Sequence, residues 1–394
     1  MKHILLTLFI LPAYTLTLAG DVPEIFARPL DDYSAEARRI NDMILFDSKI
    51  YIGYGDYGVN TGPTDILYYD MESGNWHKEF TVDEEAVIKY TVPGGQLMIP
   101  GIDGTQDWEL GNYYVYDSNE WIKKRNIPGG IHVFDIAHYN NSYFVSTGTF
   151  LRTDSNTMLA PGAVMSSQDG IEWAYEYTTS TDNYSVHRIT DIIEFNDELY
   201  AFEYSYNALK LPEIPNRYHE YLMSPYIDGT DTMYLVLNND VNGSDDCIVY
   251  NGSKWYEKNI IGDDSICTIK PFVFRDKLYM FAVRGKFVSN ITMYLNSEGE
   301  LPGNAATELY QYDSEKTMKI NTDFDLIADV YQTDEKLMML VFRRGAYYLA
   351  KTDNMKGFLF KRLDDIPGNP LSIIFDSNTT YIGTDLGEIY SIEF

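Results

Sequence analysis

Residues 42–53 read DMILFDSKIYIG and residues 191–202 read DIIEFNDELYAF. In both, a short apolar run meets a polar turn and resumes as an aromatic-rich apolar run, the pattern of two strands joined in a tight hairpin. The design returns as IKYTVPGGQLMIP from Ile88, DIAHYNNSYFVS from Asp135, KPFVFRDKLYMF from Lys270, DVYQTDEKLMML from Asp329 and LSIIFDSNTTYIG from Leu371. In chain order the starts lie about 46, 47, 56, 79, 59 and 42 residues apart. After most copies comes a second strand pair around an aromatic turn, such as YYVYDSNEWIKK from Tyr113 or CIVYNGSKWYEK from Cys247. Trp76, Trp121, Trp173 and Trp255 recur just after those turns.

A repeat of this period holding four short strands is one propeller blade. The fold expected is therefore all-β, a seven-bladed β-propeller forming a single domain over residues 20–394. The 34 Tyr and 19 Phe favour strands over helices. The recurring tryptophans suit the gap between neighbouring sheets, which one four-stranded sheet cannot fill alone. The last copy runs out after three strands, so EIFARPL at 24–30 is expected to supply the fourth and remove an exposed edge. A sandwich or β-helix would show shorter or less regular repeats.

SSQDGIEW, from Ser166, resembles the Asp-box turn of sialidases and related propellers, in a Ser-x-Asp-Gly-x-x-Trp variant. The likeness covers eight residues. It implies a structural turn far from any active site, and it supports the fold class without implying sialic acid as a ligand. More loosely, the blade pattern is similar to kelch-type propellers, without their diglycine and Tyr–Trp signature.

The chain opens MKHILLTLFILPAYTLTLAG. Lys2, the apolar run at 4–18 and the small residues Thr17 and Ala19 read as a secretory signal over 1–19, cleaved near Ala19. The expected product is secreted, extracellular or periplasmic. No later segment has the length and apolarity of a membrane span. Cys247 and Cys267 are the two cysteines, and export favours a disulfide between them. A net charge of −29 argues against nucleic acid, which needs a basic surface. Six N-x-[ST] sequons occur, at Asn140, Asn183, Asn242, Asn251, Asn290 and Asn378, and matter only in a eukaryotic secretory pathway.

In a four-stranded blade the start of the inner strand and the loop between the second and third strands share one face. Those loops are long at 53–64, 147–161 and 205–231, and long irregular loops in a compact fold usually carry function. At the inner-strand starts stand Arg38, Arg39 and Asp42, then His132 and Asp135, His187, Arg188 and Asp191, Lys270, and Asp329. His138 alternates away from Asp135 and is expected to pack. The recurrent aspartates have a second reading, as ties between blades through backbone N–H groups. Asp56, Tyr54 and Tyr57 fall in the first long loop, and Tyr218, His219 and Tyr221 in the fourth.

This rim is expected to bind an extracellular ligand, carbohydrate first, with the loop tyrosines stacking on sugar rings. As a polysaccharide lyase the same rim would use His187 or His132 as base, Tyr54 or Tyr218 as acid, and Arg188 or Lys270 to neutralise a carboxylate. As a glycoside hydrolase it would need two carboxylates, such as Asp42 and Asp191. A protein-interaction scaffold is the remaining class. No cofactor is expected. NNDVNGSDD offers the oxygen spacing of a Ca2+ loop at Asn238, Asp240, Asn242 and Gly243, but Val249 stands where the bidentate carboxylate belongs.

Overall fold

In the computed structural model, residues 15–17, 22–207, 225–227, 233–236, 247–284 and 306–393 are described, apart from 57, 103, 153–157, 180–184, 196, 252, 254, 259, 263–265, 314–315 and 334. They form antiparallel sheets, with only short 3-10 turns at Ala35–Ala37 and Pro93–Gly95 as helical structure among the described residues. The architecture is that of a β-propeller.

The first sheet runs Ile40–Phe46, Lys49–Tyr54, Thr64–Asp70 and Asn75–Val82, in sequence order. The third runs Gly130–Tyr139, Ser142–Thr149, Gly162–Ser167 and Ala174–Thr178 in the same way. Six of the seven predicted hairpins are strand pairs. The second is looser, closing through a Thr91–Met98 bridge before the strands Met98–Pro100, Leu110–Asp117 and Glu120–Pro128.

The fourth region departs from expectation. Ser185–Phe195 and Glu198–Asn207 make a two-stranded sheet, and Cys247–Tyr250 and Trp255–Lys258 join a separate sheet with Pro225–Ile227 and Met233–Val236. The segment read as one long loop at 205–231 thus contains a strand. The continuous apolar, β-favouring run MYLV gives Cys247–Tyr250 a partner, with Met233 opposite Tyr250. The count of seven rests on the hairpins, and this additional sheet stands between the fourth and fifth of them in the chain.

Glu24–Ala27 pairs antiparallel with Ile389–Glu393 in the last sheet, as the missing fourth strand requires. Within the predicted leader, Thr15–Thr17 lies parallel to Phe358–Phe360 on the edge of the preceding sheet. Cys247 and Cys267 fall in successive sheets, and their side chains are outside the described residues.

The apolar core is divided among the gaps between sheets. Tyr51, Tyr90, Ile99, Tyr114 and Trp121 fill the first gap, where the Trp121 indole N–H donates to Glu79 at 3.0 Å. Trp173 stands edge-on to Tyr113 of the neighbouring sheet, centroids 5.8 Å apart. The SSQDGIEW turn is built as its resemblance implies: Asp169 accepts N–H bonds from Ile171 at 2.8 Å and Glu172 at 3.3 Å. It joins the third and fourth strands, so it lies at the opposite end of the sheet from the loop that joins the second and third.

Polar ties join the inner strands. Asp42 accepts the N–H of Tyr90 at 3.1 Å, Asp135 that of Ile192 at 3.2 Å, and Asp329 that of Ile373 at 2.9 Å. Ser372 donates its hydroxyl to the Ile40 carbonyl at 2.8 Å, tying the last sheet to the first. Asp329→Ala leaves the Ile373 N–H without its acceptor and is expected to cost about 1–3 kcal/mol in denaturant unfolding. Asp329→Asn, whose amide oxygen still accepts, should recover most of that loss.

Candidate functional site

Inner strands slip register by one residue at the same point. The shifts fall between Ile40 and Asp42, Val133 and Asp135, Ile189 and Asp191, Thr268 and Lys270, Ile327 and Asp329, and Pro370 and Ser372. A bulge inserts one residue and re-aims the next side chain. The residues after it form a belt of Asp42, Asp135, Asp191, Lys270, Asp329 and Ser372, one per hairpin. Lys89 takes the position in the second hairpin, because Tyr90 after it supplies the N–H just as Ile192 and Ile373 do.

The belt groups feel one another. Lys89 binds Asp135 at 2.8 Å. Burial pushes the Asp42 carboxyl up to about 6, with Asp329 raising it further while the Tyr90 N–H and Lys89 pull it down. Burial likewise raises Asp191 to about 6, and Asp135 adds to the rise while Lys89 opposes it. Asp191 Oδ2 is buried without a hydrogen-bond partner among the described residues.

Three residues before the belt stand Arg39, His132 and Arg188. His132 donates from Nδ1 to the carbonyl of Ile102 and lies beside Phe134, centroids 5.6 Å apart. The Arg188 guanidinium lies over the same Phe134 ring at 5.7 Å. Gly148 makes this meeting fit, since a Cβ there would stand 3.3 Å from His132 Cδ2 and 3.4 Å from Arg188 Cγ. His132 and Arg188 are thus brought together, and His187, next along the strand, is set by a backbone bond to Ala160 at 2.8 Å.

Other expected participants have local duties. Tyr54 is 1% exposed, continues the inward phase of Ile50 and Ile52, and accepts the Asp65 N–H at 3.2 Å. Burial drives its phenol pKa upward, so the geometry gives it a packing role in place of the proton donor expected from its loop position. Asp56 caps its own turn through the Gly58 N–H at 2.8 Å. Arg38 holds the carbonyls of Tyr33 and Asp31. His138 stays exposed beside Tyr143, 5.0 Å between centroids. Tyr57, Tyr218, His219, Tyr221 and the 238–246 segment lie outside the described residues, as does the Lys270 side chain.

Trp108 and Phe150 stand outside every pattern read from the chain. Their rings meet edge to face at 5.2 Å on two adjacent rim loops, and Trp108 is 51% exposed. Asp107 accepts from the Glu109 N–H at 3.0 Å and from Arg125 at 2.6 Å, fixing the turn that presents the indole. Gly129 donates to the Glu109 carbonyl and accepts from the Phe150 N–H, joining the two loops. Neither ring belongs to the repeat, so no periodicity marks them.

No family model matches the chain, and no curated protein does. Among solved structures, the computationally designed Ika8 protein aligns over 92% of this chain and 98% of its own, with TM-score 0.55 and 8% identity. Virginiamycin B lyase from Staphylococcus aureus aligns over 92% and 96%, with TM-score 0.46 and 11% identity. The β-propeller domain of the Trilobed protease from Pyrococcus furiosus aligns over 89% and 91%, with TM-score 0.44 and 9% identity. At these identities the likeness concerns the fold alone.

The belt has a pH signature. A carboxyl whose folded pKa is raised contributes stability that is present below its unfolded pKa and lost as pH rises through the folded value. For Asp42 and Asp191 that window runs from the ordinary 3.8 to about 6. Asp42→Asn or Asp191→Asn should therefore gain on the parent between about pH 4 and 7, by roughly 2–3 kcal/mol each at 1.36 kcal/mol per unit. A difference in unfolding free energy that stays flat over that range would contradict the assignment.

Proposed function

We propose that this is an exported β-propeller that binds an extracellular carbohydrate at the loop-bearing mouth of its inner strands. The observation that carries the reading is the Trp108–Phe150 pair. A half-exposed indole braced by a neighbouring ring is a ready face for the C–H side of a sugar. Its loop is fastened beforehand through Asp107, Arg125 and Gly129, so little order remains to be imposed on binding. The belt and the His132–Arg188 pair supply polar groups on the same face. Export rests on the leader-like segment at 1–19.

On a panel of neutral and uronic-acid polysaccharides, Trp108→Ala is expected to weaken whichever binding the parent shows by at least about tenfold, with thermal unfolding unchanged. Unaltered binding by that variant, or no binding of any polysaccharide by the parent, would sink the proposal.

A second reading is favoured by the meeting of His132 with Arg188. Donation from Nδ1 leaves Nε2 of the neutral ring as the proton acceptor, beside a guanidinium suited to a carboxylate. That is the base and the charge-neutralising group of a β-eliminating polysaccharide lyase. Unsaturated ends released from uronic-acid polymers, and lost in His132→Ala, would establish it. Binding without turnover would leave the first reading alone.

A further inference from the structure

The chain has 59 acidic residues and 30 Lys and Arg, so each cation has two carboxylates available on average. Many are taken: Arg28, Lys49, Lys78, Lys89, Arg125 and Arg343 all hold acidic partners. Arg39 and Arg188 hold none among the described residues, although both are partly buried. A half-buried guanidinium without a counterion is a cost that the fold could have avoided.

Their placement repeats. Each stands three residues before a belt aspartate, Arg39 before Asp42 and Arg188 before Asp191, and His132 holds the same position before Asp135. Two guanidiniums and an imidazole thus stand one step from the carboxylate belt toward the starts of the inner strands. The Arg188 guanidinium lies 5.7 Å over the Phe134 ring, a contact that uses none of its N–H donors, which suit a planar acceptor. Gly148 lets His132 and Arg188 approach one another, since a Cβ there would stand 3.3 Å from His132 Cδ2 and 3.4 Å from Arg188 Cγ. A carboxylate is the anion that such a fork binds through two parallel hydrogen bonds.

We infer that the carbohydrate bound at this mouth is acidic, with a uronate carboxylate held by Arg188 and steered by Arg39 and His132. The inference rests on the carbohydrate reading above and adds the ligand's charge to it. The belt carboxylates, one step further along the inner strands, repel the same group, so the anion is held at the entrance. The negative surface elsewhere would slow its approach, and binding should therefore strengthen with added salt until screening weakens the Arg188 contact itself.

The test uses immobilised polygalacturonate, alginate and hyaluronate, each beside a copy whose carboxyls have been converted to amides. The full-length mature protein should bind at least one acid form about tenfold more tightly than its amidated copy. Arg188→Gln should erase that preference, while any remaining binding still depends on Trp108. Circular dichroism and thermal unfolding matching the parent would show that the variant is folded. Equal binding of acid and amide forms by the parent, or a preference that survives in Arg188→Gln, would overturn the inference. If the amidated or neutral polymers bind through Trp108 while no acid preference exists, the charge assignment fails and the carbohydrate reading stands.

Discussion

One hydrogen bond, repeated, organises this molecule: a belt aspartate accepting the backbone N–H of the next inner strand. Asp42 does this for Tyr90, Asp135 for Ile192 and Asp329 for Ile373. Hydrophobic packing between sheets is strong but has no direction, and it would tolerate sliding of one wedge along another. A carboxylate fixed to a particular amide does not. At these three steps the bond sets the height of one sheet relative to its neighbour, and the bulge before the belt residue aims the side chain to make it.

The mouth inherits its geometry from that registration. Because neighbouring belts sit at matched heights, residues three positions earlier also come level, and His132 meets Arg188 around Gly148. The rim loops are tied in turn to the strand ends, with Gly129 bonded to both the Trp108 and Phe150 loops. The belt pattern breaks at Asp191, whose Oδ2 is buried without a hydrogen-bond partner among the described residues. Burial raises the pKa of both Asp42 and Asp191 in this belt.

Much of this was legible in the chain. Period and hairpin pattern fixed the sheets, and EIFARPL was recognisable as the closing strand because the last repeat lacks one. The tie between blades was already a reading of the recurrent aspartates, and it is what Asp42, Asp135 and Asp329 do. Lys89 and Ser372 were hidden because copies aligned on their apolar starts are displaced by one residue from the belt. Tyr54 looked like a loop residue, yet its alternation with Ile50 and Ile52 already placed it in the core. Trp108 and Phe150 belong to loops that do not repeat, and their pairing depends on how two sheets stand side by side. The strand Pro225–Ile227 falls inside the segment that reads as loop at 205–231, because its apolar run is short and stands alone in the sequence.

The registration itself can be measured by site-resolved hydrogen exchange on the native protein near neutral pH. Slow exchange at the amides of Tyr90, Ile192 and Ile373, with Asp135→Ala releasing Ile192 far more than the other two, is the outcome required. Fast exchange at those amides in the parent, or equal release at all of them in the variant, would mean that the aspartates do not hold the sheets in step.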